Sequence, residues 1–280
     1  MSLAYARPQT MTSRLFVAIG SSHLFGLIDR FIAPVSSAKY RSVWSTGVPF
    51  REPIDLHAPS GWRGEHVLYN TPVAGPPPML KADVLYIPEV LTGVLAHIPS
   101  EAEVIFSLLR GQEFAVAALV DDPSHADFLG DDGQMEAGRR WMSRADALGW
   151  VRQIAEPLWT THLALRQQFP RARIVHVPAP PPVESHEHIL ANPEAFGPLF
   201  AVHGIKPFAM RQRIYRLMYA DLSQRLAQLG VLSLAPPAGA LTANGGLKAG
   251  FARGCLHGNE LYAELLAQQI REVLAHVPSL

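Results

Sequence analysis

Cysteine is almost missing from this chain: Cys255 is the only one in 280 residues. A lone cysteine cannot close an internal disulfide, which excludes a disulfide-stapled scaffold. A surplus of charge is missing too, since 24 Lys and Arg are matched by 24 Asp and Glu. Neither a nucleic acid nor an acidic membrane surface is therefore an expected partner. No apolar run approaches the ~20 residues of a spanning helix, so no membrane span is expected. Residues 1–14 lack the apolar centre of a signal peptide, and the expected location is cytoplasmic. The glycines between Gly20 and Gly26 do not fit a Gly-x-Gly-x-x-Gly phosphate loop, and no cofactor is expected. His186-x-His188, with Glu184 and Glu187 beside it, lies in a stretch read as loop, without regular ligand geometry, so no metal is expected.

What is present suits a large core. The chain is 48% apolar and 17% charged, and no linker or internal repeat divides it. We expect a loose extension over residues 1–13 and a single domain over 14–280. Arg14–Ile19 and Glu103–Leu109 read as buried strands, and Arg173–Val177 as a later one. Residues 33–78 lack steady periodicity, apart from a possible strand at His66–Tyr69. Met79–Ile98 is apolar in both registers. Met135–Phe169 reads as two helices broken at Pro157, and Glu184–Pro207 as loop. Phe208–Leu229 and Asn259–His276 carry apolar residues at helical spacing. Clusters such as Pro180-Pro181-Pro182 mark exits from core elements. Strands alternating with helices predict an α/β fold, a three-layer sandwich around a central, mainly parallel sheet of flavodoxin-like type. Sites in such sheets form at the carboxyl ends of the strands.

Ser22 falls at such an end. It follows the first strand in Gly20-Ser21-Ser22-His23 and opens the next helix, whose first N–H groups lack intrahelical partners. The plain alternative is a helix cap, where serine is favoured. His257 precedes the last helix in Cys255-Leu256-His257-Gly258-Asn259, and Gln112 follows the strand Glu103–Leu109 beside Gly111. A nucleophile, a base and an amide donor are what acyl transfer requires. Ser22 lacks the second glycine of a Gly-x-Ser-x-Gly elbow and comes at the first strand, which excludes an α/β-hydrolase nucleophile.

In their order these blocks resemble those of the SGNH, or GDSL-type, hydrolases. That resemblance implies an SGNH hydrolase-like fold and a serine hydrolase or acyltransferase. Ser22 and His257 would be catalytic, with Ser22, Gly111 and Gln112 forming the oxyanion hole. His23, Cys255 and Asn259 would line the substrate pocket. The expected partner is a small-molecule or saccharide acyl ester; oligomeric state stays open. Three positions depart from the family pattern. Ser21 replaces aspartate in the first block and Gln112 replaces asparagine in the middle one. Gly254 replaces the aspartate that orients the histidine. A Ser22–His257 dyad remains, held by a backbone carbonyl or a carboxylate from elsewhere. A degenerate, non-catalytic binding protein of the same fold is the competing expectation.

Overall fold

A computed structural model of the chain describes residues 13–32, 48–69, 76–109, 117–121, 126–131 and 133–278. All but one of the residues expected as an N-terminal extension lie outside them. Six strands form the main sheet: β1 (Arg14–Gly20), β2 (Phe50–Pro53), β3 (Trp62–Leu68), β4 (Val104–Leu108), β5 (Arg173–His176) and β6 (Leu232–Ser233). Their order across the sheet is β6-β5-β4-β1-β3-β2. Only β2, at the edge, runs antiparallel. The direction in which successive parallel strands are added reverses between β1 and β4, and ligand crevices open at such a point.

β1 reads as a nearly unbroken apolar run because both its faces are buried. Leu15, Val17 and Ile19 pack on one side, while Phe16 and Ala18 pack on the other. The first side is covered by α2 (Glu89–Leu95), α3 (Arg144–Gln168) and α6 (Phe208–Gln228). The second is covered by α1 (Phe25–Phe31) and α7 (Glu260–Ala275). The result is the expected three-layer α/β sandwich. At the opposite, amino edge Arg14 stacks 4.1 Å over Trp62, pairs with Glu103 at 2.8 Å and reaches the carbonyls of Val277 and Pro278.

Three expectations need correction. Pro157 does not break a helix: α3 runs through it to Gln168. Proline in a helix interior costs about 3 kcal/mol, but Val151, Ala155, Leu158, Ala164 and Leu165 on either side are buried in one core face. The strand expected at His66–Tyr69 begins four residues earlier, at Trp62. The segment Glu184–Pro207 holds α4 (His186–Ala191) and α5 (Gly197–His203) rather than loop throughout. The Ser185 hydroxyl starts α4 by accepting the His188 N–H at 3.0 Å. Met79–Ile98, apolar in both registers, divides into a hairpin, Met79–Lys81 with Val84–Tyr86, and α2.

Among the described residues three histidines are fully buried. Burial lowers His66 and His162 to about 4 and holds His176 well below its usual value. Below about pH 6.5 the unfolded chain therefore takes up protons that the folded chain refuses. Their contribution is complete above that pH and is lost as pH falls toward 4. Urea midpoints should decline from pH 7 to pH 4.5, each histidine contributing at most about 1.4 kcal/mol per pH unit. Midpoints that stay level over that range would show these side chains accessible to protons.

Candidate active site

The site begins with a glycine. Gly20 ends β1 between Leu68 and Leu108, and a Cβ there would lie 2.9 Å from both Leu108 Cβ and Leu108 O. Without a side chain at this point, β1 and β4 approach closely at the carboxyl edge. The chain then enters a single 3-10 turn, Ser22–Leu24, that leads into α1. The capping alternative fails here. Ser21 occupies the cap position and makes no side-chain cap bond. The hydroxyl of Ser22 instead meets His257, Oγ to Nε2, at 3.0 Å.

His257 reaches that place from the far end of the chain. Residues 252–253 and 257–258 pair as a short antiparallel hairpin, with Arg253 opposite His257. Arg253 bonds to Asp29 of α1 at 2.9 Å, which ties the hairpin to the helix behind Ser22. Asn259 locks the other side. Its Oδ1 accepts the N–H groups of Leu261 and Tyr262, capping α7, and its Nδ2 donates to Gly250 O. The asparagine expected in the pocket is thus a helix cap, and its amide is used up in holding the hairpin.

A cavity of about 430 Å³ opens at Ser22, His23, Cys255 and His257. Pro180-Pro181-Pro182, after β5, forms one wall. Prolines suit a buried wall because they leave no N–H to satisfy. The run is positioned by α6: Tyr215 Oη donates to Ala179 O at 2.9 Å, and Ala179 N–H donates to Tyr219 Oη at 3.2 Å. Ala195, Phe196 and Leu256 add apolar surface. Arg211 lies at the cavity with no exposed surface. Its Nε and Nη1 donate to Lys206 O and Val183 O, and burial lowers it to about 10.

Two neighbours of His257 have settled protonation states. His23 sits with its ring centroid 4.9 Å away. Burial, with the nearby His257 and Arg253 charges, pushes it down to about 3. It therefore stays neutral and adds no charge beside His257. Cys255 has no exposed surface, and burial plus the adjacent Glu194 carboxylate pushes its thiol up to about 12. A thiol held that high is inert, since only thiolate is nucleophilic.

The structure thus gathers Ser22, His23, Cys255 and His257 and leaves Asn259 aside. Gly111 and Gln112 lie outside the described residues. One group escaped the sequence reading. Glu194 lies in the 3-10 turn Glu194–Phe196 before α5, and its Oε2 stands 3.6 Å from His257 Nδ1. Its only signal in sequence was indirect: a histidine before the last helix whose usual acid was missing.

No family model matches the sequence, and no curated protein matches it. Solved structures with a similar chain path include the phospholipase A1 of Streptomyces albidoflavus, at TM-score 0.47 and 12% identity, covering 92% of this chain and 99% of that one. A GDSL-like lipase from Bacteroides thetaiotaomicron gives 0.41 and 10%, covering 97% and 92%. The periplasmic domain of a lipopolysaccharide acetyltransferase from Salmonella ser. Paratyphi A gives 0.44 and 11%, covering 94% and 84%.

The state of Cys255 can be read directly. In the folded protein at pH 8, Ellman's reagent should release almost no thiolate over an hour, and one equivalent per chain after urea. Rapid labelling of the folded protein would mean that the thiol is open and ionised.

Proposed function

We propose that this chain is a serine hydrolase of acyl esters, with Ser22 as nucleophile and His257 as general base. The observation that carries this is the 3.0 Å contact between Ser22 Oγ and His257 Nε2 at the mouth of a largely apolar cavity. That distance is within the 2.6–3.2 Å reach that direct proton transfer needs.

In this reading Ser22 Oγ attacks the ester carbonyl while its proton passes to His257 Nε2. The negative charge gathers on the former carbonyl oxygen. The Ser22 N–H, at the start of the 3-10 turn, is one donor for it, and we assign the second to the Gln112 side chain next to Gly111. Collapse of the intermediate expels the alcohol, which takes the proton back from Nε2. Water, deprotonated by the same nitrogen, then frees the acid and restores Ser22. The apolar walls and the modest volume suit a small ester. Release to a second alcohol instead of water would give transfer, with the same first half-reaction.

A fluorophosphonate probe should label the protein once, at Ser22, and short-chain nitrophenyl esters should be turned over. Ser22→Ala should abolish labelling, and Ser22→Ala and His257→Ala should each lower kcat by about a thousandfold or more. Absence of both labelling and turnover would leave the non-catalytic binding protein as the better reading. Turnover unchanged in Ser22→Ala would move the chemistry elsewhere.

A further inference from the structure

We infer that Glu194 holds and orients His257, and that position 254 is glycine because the Glu194 carboxylate occupies the place of a side chain there. The inference rests on the Ser22–His257 reading and adds to it a positioning residue from a different segment of the chain.

Three observations meet at this point. Nδ1 of His257 has no hydrogen-bond partner among the described residues, and the Glu194 carboxylate stands opposite it at ion-pair distance, 3.6 Å. A Cβ built on Gly254 would lie 2.6 Å from Glu194 Oε2 and nearer still to the remaining carboxyl atoms. The two groups cannot share that space. Gly254 also has φ +62°, a left-handed conformation that a glycine takes without strain at the turn of the hairpin. The carboxylate thus enters from the side where an aspartate in place of Gly254 would start its own side chain.

The arrangement is fastened from both directions. Cys255 lies with its Sγ 3.5 Å from Glu194 Oε2 and 3.7 Å from Pro193 O. The Gly254 carbonyl contacts His188 Nε2 of α4 at 3.1 Å. Glu194 itself adopts φ +48°, uncommon for a residue with a side chain, which turns the chain toward the hairpin. Burial alone would raise its pKa, but the His257 ring and the Cys255 thiol outweigh it and hold the carboxyl below its ordinary range. The carboxylate is thus ionised while Nε2 works. Around His257 the other titratable groups are the neutral His23, the protonated Cys255, and Arg253 with its partner Asp29. Glu194 is the one carboxylate among the described residues within ion-pair distance of the ring. Its side chain is 37% exposed, so a ligand in the cavity, by excluding water, would strengthen the pair. The role of Glu194 is to fix which nitrogen carries the ring proton and to stabilise the imidazolium that forms.

The test uses Glu194→Gln, Glu194→Ala, Gly254→Asp and the double variant Glu194→Ala/Gly254→Asp. Glu194→Gln should lower kcat on a nitrophenyl ester by about a thousandfold, with KM within a few-fold and the circular dichroism unchanged. Gly254→Asp alone should lower Tm, because two carboxylates collide. The double variant should regain at least tenfold in kcat over Glu194→Ala, since an aspartate then has the vacated space. Activity of Glu194→Gln within threefold of the parent, or a double variant that folds but is no better than Glu194→Ala, would overturn the inference. A second readout does not need turnover. The His257 Nδ1 proton should give a downfield proton resonance in the parent that disappears in Glu194→Gln. If the parent hydrolyses no ester yet shows this loss, the proposed function fails and the Glu194 contact stands. If the parent is active and the resonance is indifferent to Glu194→Gln, the Glu194 inference fails and the function stands.

Discussion

The carboxyl edge of the sheet depends on one close approach, that of Gly20 on β1 to Leu108 on β4. With 2.9 Å between Leu108 and the site of any Cβ, no larger residue fits without moving a strand. The approach lets the chain turn at once after β1, so that Ser22 is held by backbone packed in the core rather than by a loose loop. The consequences continue outward. The turn fixes α1, α1 packs against α7, and the Arg253–Asp29 pair joins α1 to the hairpin that carries His257. The Asn259 cap sets where α7 begins and therefore where the hairpin must end. Two residues from opposite ends of the chain meet at 3.0 Å because each lies one short step from a rigid element. Sites carried on helices and strands are more sharply defined than sites on loops.

How much of this could be read beforehand varied with local signal. β1, β4, β5, α6 and α7 were legible because burial on one stripe or on both faces leaves a regular apolar pattern. Only the second half of β3 was: its first half is Trp62-Arg63-Gly64-Glu65, and Arg51 and Arg63 both pair with Glu65 near the sheet edge. Arg63 and Glu65 pair within β3, but Glu65 also takes Arg51 from β2, a partner that no window over β3 contains. Pro157 misled for the converse reason. Its local penalty is real, but the buried residues on both sides of it belong to one face, and the packed face prevails. The short helices α4 and α5 escaped because six or seven residues carry too little periodicity.

Within the site, Ser22 and His257, which the structure brings to 3.0 Å of each other, were singled out by flanking elements and block order. Asn259 was placed in the pocket by analogy of position, yet capping claimed its amide. Pro180-Pro181-Pro182 was legible only as an exit from a strand. That these prolines wall the cavity follows from α6, whose two tyrosines grip Ala179 just before them.

Glu194 shows how a carboxylate can face a histidine without appearing in the sequence block that surrounds it. A block compares residues at fixed spacing along the chain, whereas imidazole responds to charge at a distance in space. Replacing aspartate by Gly254 removes a carboxylate from the block but also removes the Cβ that would exclude a carboxylate arriving from elsewhere. The two changes are therefore coupled: each is unfavourable without the other. An acid at 254 with Glu194 retained would place two negative groups in one space, and a glycine at 254 without Glu194 would leave Nδ1 with no carboxylate opposite it. The new position also changes what the acid is attached to. Ala195 and Phe196, which line the cavity, directly follow Glu194 in the chain. The carboxylate proposed to orient His257 is therefore carried by a segment that lines the cavity, so the cavity wall and that carboxylate are placed by the same turn of backbone.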